Sequence, residues 1–181
     1  MGRKSHQIMK RDIMVYDNIV LIGFMGSGKT SVGKTLSRKL YKDFVDVDTV
    51  IEEEQGCSIA EIFETKGEAY FRSLEQKCIN ELTNKKGQII ATGGGVPIHS
   101  TISDKSLIIY IDADFDVIVE RLSPRERAKR PLFDDEARAR ALYADRIDTY
   151  KELATFSVDA NQVIPTFIHV IVDYVLDKRV L

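Results

Sequence analysis

The sequence has only two cysteines, three histidines and no apolar run approaching the length of a membrane span, and each shortage removes a class of protein. Cys57 and Cys78 stand in no C-x-x-C spacing and lack partnered histidines, which argues against both a zinc site and a disulfide framework. Both read as small, buried or half-buried hydrophobes in a reducing compartment. His6, His99 and His169 fall in no metal or triad arrangement. Residues 1–11 are polar and basic without an apolar h-region, so the chain reads as cytoplasmic and without a membrane partner. A formal net charge of −2 argues against a nucleic-acid-binding surface, because such domains are usually basic. Anion binding must be local. With no repeat, low-complexity tract or linker, residues 18–181 read as one domain, and residues 1–17 as a loose N-terminal extension, part of which need not be native.

What the sequence does contain is concentrated in Gly23-Phe24-Met25-Gly26-Ser27-Gly28-Lys29-Thr30, which fits G-x-x-x-x-G-K-[ST]. An apolar run at 19–22 reads as a buried strand before it, and residues 31–40 read as a helix after it, the context that the motif requires. Glycines let successive backbone N–H groups turn toward a phosphate chain, and the helix N-terminus adds partial positive charge. Gly26, Ser27, Gly28, Lys29, Thr30 and Ser31 are the candidate nucleotide contacts. Lys29 supplies a full charge for the β- and γ-phosphates, and the Thr30 hydroxyl can ligate Mg²⁺.

Beyond the loop, strands and helices alternate, which points to a parallel sheet covered on both faces. Strands are expected at 44–48, 88–91, 107–111 and 156–159. Helices are expected after the T-x-x-E of Thr49 to Glu52, after the S-x-x-E of Ser58 to Glu61, from 68 to about 84 beyond a break at Gly67, at 115–122, from 134 to about 154, and from 165 to 176. Residues 123–130, basic and bounded by Pro124 and Pro131, read as an exposed, mobile loop.

Several residues outside the loop carry chemistry. Asp46 and Asp48, spaced i, i+2 at the carboxyl end of a strand, project on one face. One carboxylate can hold Mg²⁺, and the other can accept the proton of an attacking hydroxyl. Arg72, next to Phe71, either pairs with Glu68 at i−4 or borders a cavity suited to a small carboxylated ring. Arg146 occupies the core face of its helix, where no carboxylate stands at helical spacing, so its expected partner is a ligand anion. Gly93-Gly94-Gly95, following a strand end, lets backbone approach a ligand closely. Arg130, fixed in an extended entry by Pro131, can close over the transferring phosphoryl group.

With these residues in place the chain resembles shikimate kinases, a family of the nucleoside-monophosphate-kinase-like P-loop group. The shared motifs run from the phosphate loop through Asp46 and Asp48, the stretch from Ser58 to Phe63, Gly67-Glu68, Phe71-Arg72 and Glu75, then Ala91 to Gly95, Arg130-Pro131-Leu132, and Arg146 with Tyr150. The resemblance implies an α/β fold: a three-layer αβα P-loop domain with a five-stranded parallel sheet of order 2-3-1-4-5 and a mobile lid at about 123–133. It implies ATP-dependent phosphorylation of the 3-hydroxyl of shikimate in the pathway to chorismate and aromatic amino acids, by an enzyme expected to be a monomer. Carried over by position, Asp48, Arg72, Gly94 and Arg146 look like substrate-binding residues, with Phe63 and Phe71 near the ring. Asp46 with Thr30 looks like the magnesium side, and Arg130 like the lid arginine that reaches ATP. Asp48, Lys29 and Arg130 would then form the catalytic group. The segment at 96–106 is shorter than is usual in the family, which implies that its small helix is reduced to a turn. The arginine that stacks on adenine is open between Arg121 and Arg125. A kinase for gluconate or a nucleoside monophosphate, and a nucleotide-binding module without catalysis, are the competing readings.

Overall fold

The computed structural model describes residues 16–128 and 131–178. Its centre is set by two runs of aliphatic residues, β1 (Asn18–Ile22) and β4 (Ser106–Asp112), buried along almost their whole length. They lie parallel, pairing Ile19 with Leu107 and Ile22 with Tyr110. Strands buried on both faces lose the apolar-polar alternation of a half-exposed strand, which is why these two read as continuous hydrophobic runs. β3 (Gln88–Ala91) joins the other side of β1, and β2 (Asp43–Asp46) and β5 (Phe156–Asp159) form the edges. The sheet order is β2-β3-β1-β4-β5, the 2-3-1-4-5 order implied by the resemblance.

Parallel strands need crossover connections, and helices supply them: α1 (Lys29–Leu40), α2 (Val47–Gln55), α3 (Ile59–Thr83), α4 (Val96–His99), α5 (Phe115–Arg121), α6 (Pro124–Ala128) and α7 (Glu136–Leu153), with α8 (Ile164–Lys178) following the last strand. Cys57 is partly exposed and Cys78 is buried, both as free thiols; burial pushes the Cys78 thiol up to about 11. Among the described residues no helix is long and apolar enough to cross a membrane.

Four local differences from the sequence reading have physical causes. β2 ends at Asp46 rather than Asp48, because the Asp46 carboxylate accepts a hydrogen bond from the Asp48 N–H (3.1 Å) and thereby caps α2 from Val47 onward. The expected Thr49/Glu52 cap is therefore redundant, and Glu52 Oε1 instead accepts from the Ile59 N–H at 2.9 Å, joining α2 to the start of α3. Gly67 leaves helical geometry (φ 81°, ψ 171°) for a single residue, so the expected two helices run on as one kinked α3; the Ser58/Glu61 capping box does form. Residues 124–128 are not a loop but the short helix α6, begun by Pro124 at its first position, where a missing N–H costs nothing. The segment after the triple glycine retains a single helical turn, α4.

Candidate active site

The sheet order places the carboxyl ends of β2, β3 and β1 side by side, so three loops meet there. The connections leaving the neighbouring strands β1 and β4 run toward opposite edges of the sheet, and such switch points hold ligands in open α/β sheets. The phosphate loop occupies this position. Gly23, Gly26 and Gly28 have φ of 146°, 82° and 98°, and a side chain on Gly23 would start 2.8 Å from the Ile111 carbonyl. Lys29 is the first residue of α1, and its buried ammonium donates to the carbonyls of Gly23 and Phe24, both at 2.8 Å. The Ser27 hydroxyl is buried and makes no hydrogen bond.

Asp46 joins the two edges of the site. One carboxylate oxygen caps α2, and the other accepts from the Thr30 hydroxyl at 2.8 Å. Among the described residues no group of three His, Cys, Asp or Glu side chains could hold a metal alone. A single carboxylate with one hydroxyl suits Mg²⁺, which takes few protein ligands and completes its shell with phosphate and water.

Asp48 lies in the first turn of α2 instead of on the strand, yet it faces the same cavity as Asp46, Lys29 and Thr30. Its Oδ1 is sealed from solvent without a hydrogen-bond partner. Burial first, and then the negative charges of Asp46 and Glu75, push its carboxyl up to about 6 against the pull of Lys29. The cavity, of about 750 Å³, also takes in Ser31, Gly93 and Gly94, and continues along Arg121 and residues 162–165. That is room for a ligand of nucleotide size. Of the two arginines left open for the adenine, Arg121 lines the cavity, pinned to the carbonyls of Ala160 (2.6 Å) and Gln162 (2.7 Å). Arg125 is exposed and lines no part of it.

The remaining candidate residues gather around α3 and the triple glycine. Of the two alternatives for Arg72, the pair with Glu68 is present. Its guanidinium bridges Glu68 (2.9 Å) and Glu75 (2.5 Å), and it also lies over the rings of Phe71 (5.2 Å) and Phe63 (5.9 Å), which are themselves 4.8 Å apart. Arg146 is buried on α7, and among the described residues no carboxylate comes within ion-pair distance of it, unlike Arg72. Such a cation calls for an anionic ligand.

The triple glycine lies between the cavity and these residues. A side chain on Gly93 would start 2.9 Å from both Asp48 Oδ1 and Glu75 Oε1, one on Gly94 3.3 Å from the Met25 N–H nitrogen and 3.7 Å from Arg146 Nη1, and one on Gly95 inside the Arg72 guanidinium. Three glycines occur in succession because three different groups close in on the backbone there. Besides letting backbone approach a ligand, as expected above, the glycines leave room for the site's own side chains.

Two features escaped the sequence reading. Glu75 has no assigned role there, although its spacing from Phe71 (i+4) and Cys78 (i−3) puts a carboxylate on the buried stripe of α3 and so invites a partner. Burial raises its carboxyl above the usual range, with Arg72 pulling the other way. Residues 162–165 carry no sequence signal of a binding site and are brought to the cavity by the turn after β5 and the first residues of α8. Arg130 lies outside the described residues. Phe133, three residues on, packs on the phosphate-loop ring of Phe24 at 6.4 Å.

A sequence model described as shikimate kinase matches residues 25–178. A shikimate kinase of Thermodesulfovibrio yellowstonii is 44% identical over 155 residues, covering 82% of this chain and 88% of that protein. One of Helicobacter hepaticus is 42% identical over 146 residues, covering 80% and 87%. The solved structure of Acinetobacter baumannii shikimate kinase in complex with shikimate superposes with a TM-score of 0.81 at 30% identity, covering 93% of this chain and 98% of that one.

Proposed function

The chain belongs to the shikimate kinase family, and from that premise we propose how its residues share the transfer of the γ-phosphoryl group of ATP to the 3-hydroxyl of shikimate. The observation that carries the assignment is the position of Asp48, which faces the phosphate-loop cavity on one side and touches the glycine joint to Arg72 and Arg146 on the other. The phosphate loop and Lys29 bind the phosphates, with Arg121 and residues 162–165 bordering the base. Arg72 and Arg146 bind the acceptor's carboxylate, and Phe63 and Phe71 border its ring.

In the reaction the acceptor oxygen forms a bond to the γ-phosphorus while the bond to the β-bridging oxygen breaks, and ADP leaves with that electron pair. Asp48 orients the hydroxyl and takes its proton. A carboxyl raised to about 6 is a better base than an ordinary aspartate and is still mostly ionised at pH 7. Thr30 and Asp46 would hold Mg²⁺, which supplies charge neutralisation on the phosphoryl oxygens when bound. Lys29 adds a fixed cation on the same side, and Arg130 is assigned the corresponding role from the lid. The enzyme works as a monomer in this reading, since a single compact domain of this type needs no partner to complete its site.

A coupled assay of ADP release from ATP, run with and without shikimate, tests the reading. ADP release should depend on shikimate and on Mg²⁺. Release at equal rates without shikimate overturns the reading.

A further inference from the structure

One buried hydroxyl has no part in the reaction described above, yet touches two groups that do. Tyr150, on α7, is fully buried, and its hydroxyl donates to the Gly94 carbonyl at 2.6 Å. The guanidinium of Arg146, one turn back on α7, faces the same hydroxyl, and Arg146 Nη1 lies 3.7 Å from where a Gly94 side chain would begin. The neighbouring glycine carbonyls are held differently: Gly93 accepts from the Val96 N–H and Gly95 from the His99 N–H, both within the turn of α4. Only the Gly94 carbonyl is oriented from α7. Because a trans peptide points its carbonyl and the following N–H in opposite directions, fixing the Gly94 carbonyl also fixes the direction of the Gly95 N–H. The ring of Tyr150 rests 5.5 Å from that of Tyr110, whose edge lies 3.6 Å from the side-chain position of Gly23 at the start of the phosphate loop. The hydroxyl is therefore backed by the sheet beneath the donor site.

We propose that Tyr150 is the positioning residue of the acceptor's acid pocket, its hydroxyl tying the Gly94 backbone to the Arg146 guanidinium so that both meet the substrate carboxylate in one fixed relation. The proposal rests on the assignment of Arg146 to the shikimate carboxylate. A phenylalanine would leave the ring packing intact and remove only the tie. The Gly94 carbonyl would lose its buried donor, and the guanidinium would lose a neighbour that limits its rotamers. Burial pushes the phenol up to about 12, with Arg146 drawing it the other way, so the hydroxyl keeps its proton and stays a donor throughout the working pH range.

The test compares Tyr150→Phe with the wild type at saturating levels of the other substrate. The expected result is a shikimate KM raised about tenfold, the effect of one buried hydrogen bond, with the ATP KM unchanged within about twofold. An unchanged shikimate KM overturns the proposal, as does a parallel rise of both KM values, which would mark a merely structural residue. A second measurement needs no variant. The wild-type protein should show a slowly exchanging phenolic proton in NMR spectra, with cross-peaks to Gly94 and to the Arg146 guanidinium. Absence of that proton overturns the tie even if Tyr150→Phe does not fold. A wild-type enzyme that leaves shikimate unphosphorylated would instead overturn the reaction, and the NMR signals would still decide for or against the tie.

Discussion

Replacing Asp48 by asparagine should make the protein more stable and nearly inactive. Its carboxyl is raised from 3.8 to about 6 in the folded chain, so the folded state binds this proton more tightly than the unfolded state does. The sign follows directly: below about pH 4 the group is largely protonated in both states and costs little, the cost grows between about pH 4 and 6, and above that range it is complete. About two pKa units correspond to about 3 kcal/mol of destabilisation by the ionised group at pH 8. Asparagine removes this cost and forfeits about 0.5 kcal/mol of favourable interaction between a first-turn carboxylate and the α2 dipole. The net gain is about 2–3 kcal/mol at pH 8, or about 4–12 °C in Tm for a domain of this size, falling to about zero near pH 4. Urea titrations of both proteins across this pH range measure it. The same substitution should lower kcat by about 10²–10⁴ while leaving the ATP KM nearly unchanged. For the wild type, kcat/KM for shikimate should fall below about pH 6, where the base becomes protonated. A stability difference independent of pH would refute the burial argument, and near-normal turnover would remove Asp48 from the chemistry.

Three further outcomes follow from the same geometry. Arg72→Ala should abolish most shikimate binding by calorimetry and cost about 1–3 kcal/mol of stability, because Glu75 is left buried without its cation; adding Glu75→Gln should recover part of the stability and none of the binding, and full recovery of binding would take Arg72 out of the pocket. Gly95→Ala places a methyl group in the space of the Arg72 guanidinium, so steady-state kinetics should show a shikimate KM raised roughly 10–100-fold with an unchanged ATP KM; equal KM values would mean that Arg72 can shift without consequence. Asp46→Asn keeps a good helix cap but loses the anionic ligand, so the Mg²⁺ concentration for half-maximal activity should rise at least about tenfold. An unaltered Mg²⁺ requirement would take Asp46 off the metal.

Much of the site was legible because single residues broke local rules. An arginine on the apolar face of a helix, as at Arg146, has no structural justification unless something anionic meets it, and the structure leaves it without a carboxylate among the described residues. The phosphate loop was legible because strand, glycines and helix all agree. Less legible was anything decided by competition between neighbouring groups. Thr49 with Glu52 and Asp46 with the Asp48 N–H offer α2 alternative starts, and the earlier one prevails, moving Asp48 from a strand to a helix without taking it out of the cavity. The basic composition of residues 123–130 suggested solvated loop, but Pro124 at a first helical position turns 124–128 into a helix. The place of residues 162–165 in the cavity could not be found from sequence, since it depends on the path of the chain from β5 into the start of α8. The triple glycine has a second reason that only the structure shows: its missing side chains accommodate Asp48, Glu75, Arg72 and the phosphate-loop backbone.

The contrast between the two arginines leads to a last expectation. Arg72 has its charge matched within the protein by Glu68 and Glu75, whereas Arg146 is buried with no carboxylate at ion-pair distance among the described residues. Burying an unmatched charge is costly, so replacing Arg146 with methionine, of similar length and apolar, should leave the unliganded protein as stable as the wild type or more so. Tyr150 would keep its bond to the Gly94 carbonyl, so no buried donor is orphaned. Ligand binding should reverse the ranking. A wild-type protein at 100 times its Kd for shikimate gains about 2.7 kcal/mol, and Arg146→Met should gain almost nothing under the same conditions. Thermal melts of both proteins with and without shikimate separate the two contributions. If Arg146→Met melts well below the unliganded wild type, the arginine is matched by the protein after all. If its shikimate-dependent shift persists, the carboxylate is bound elsewhere.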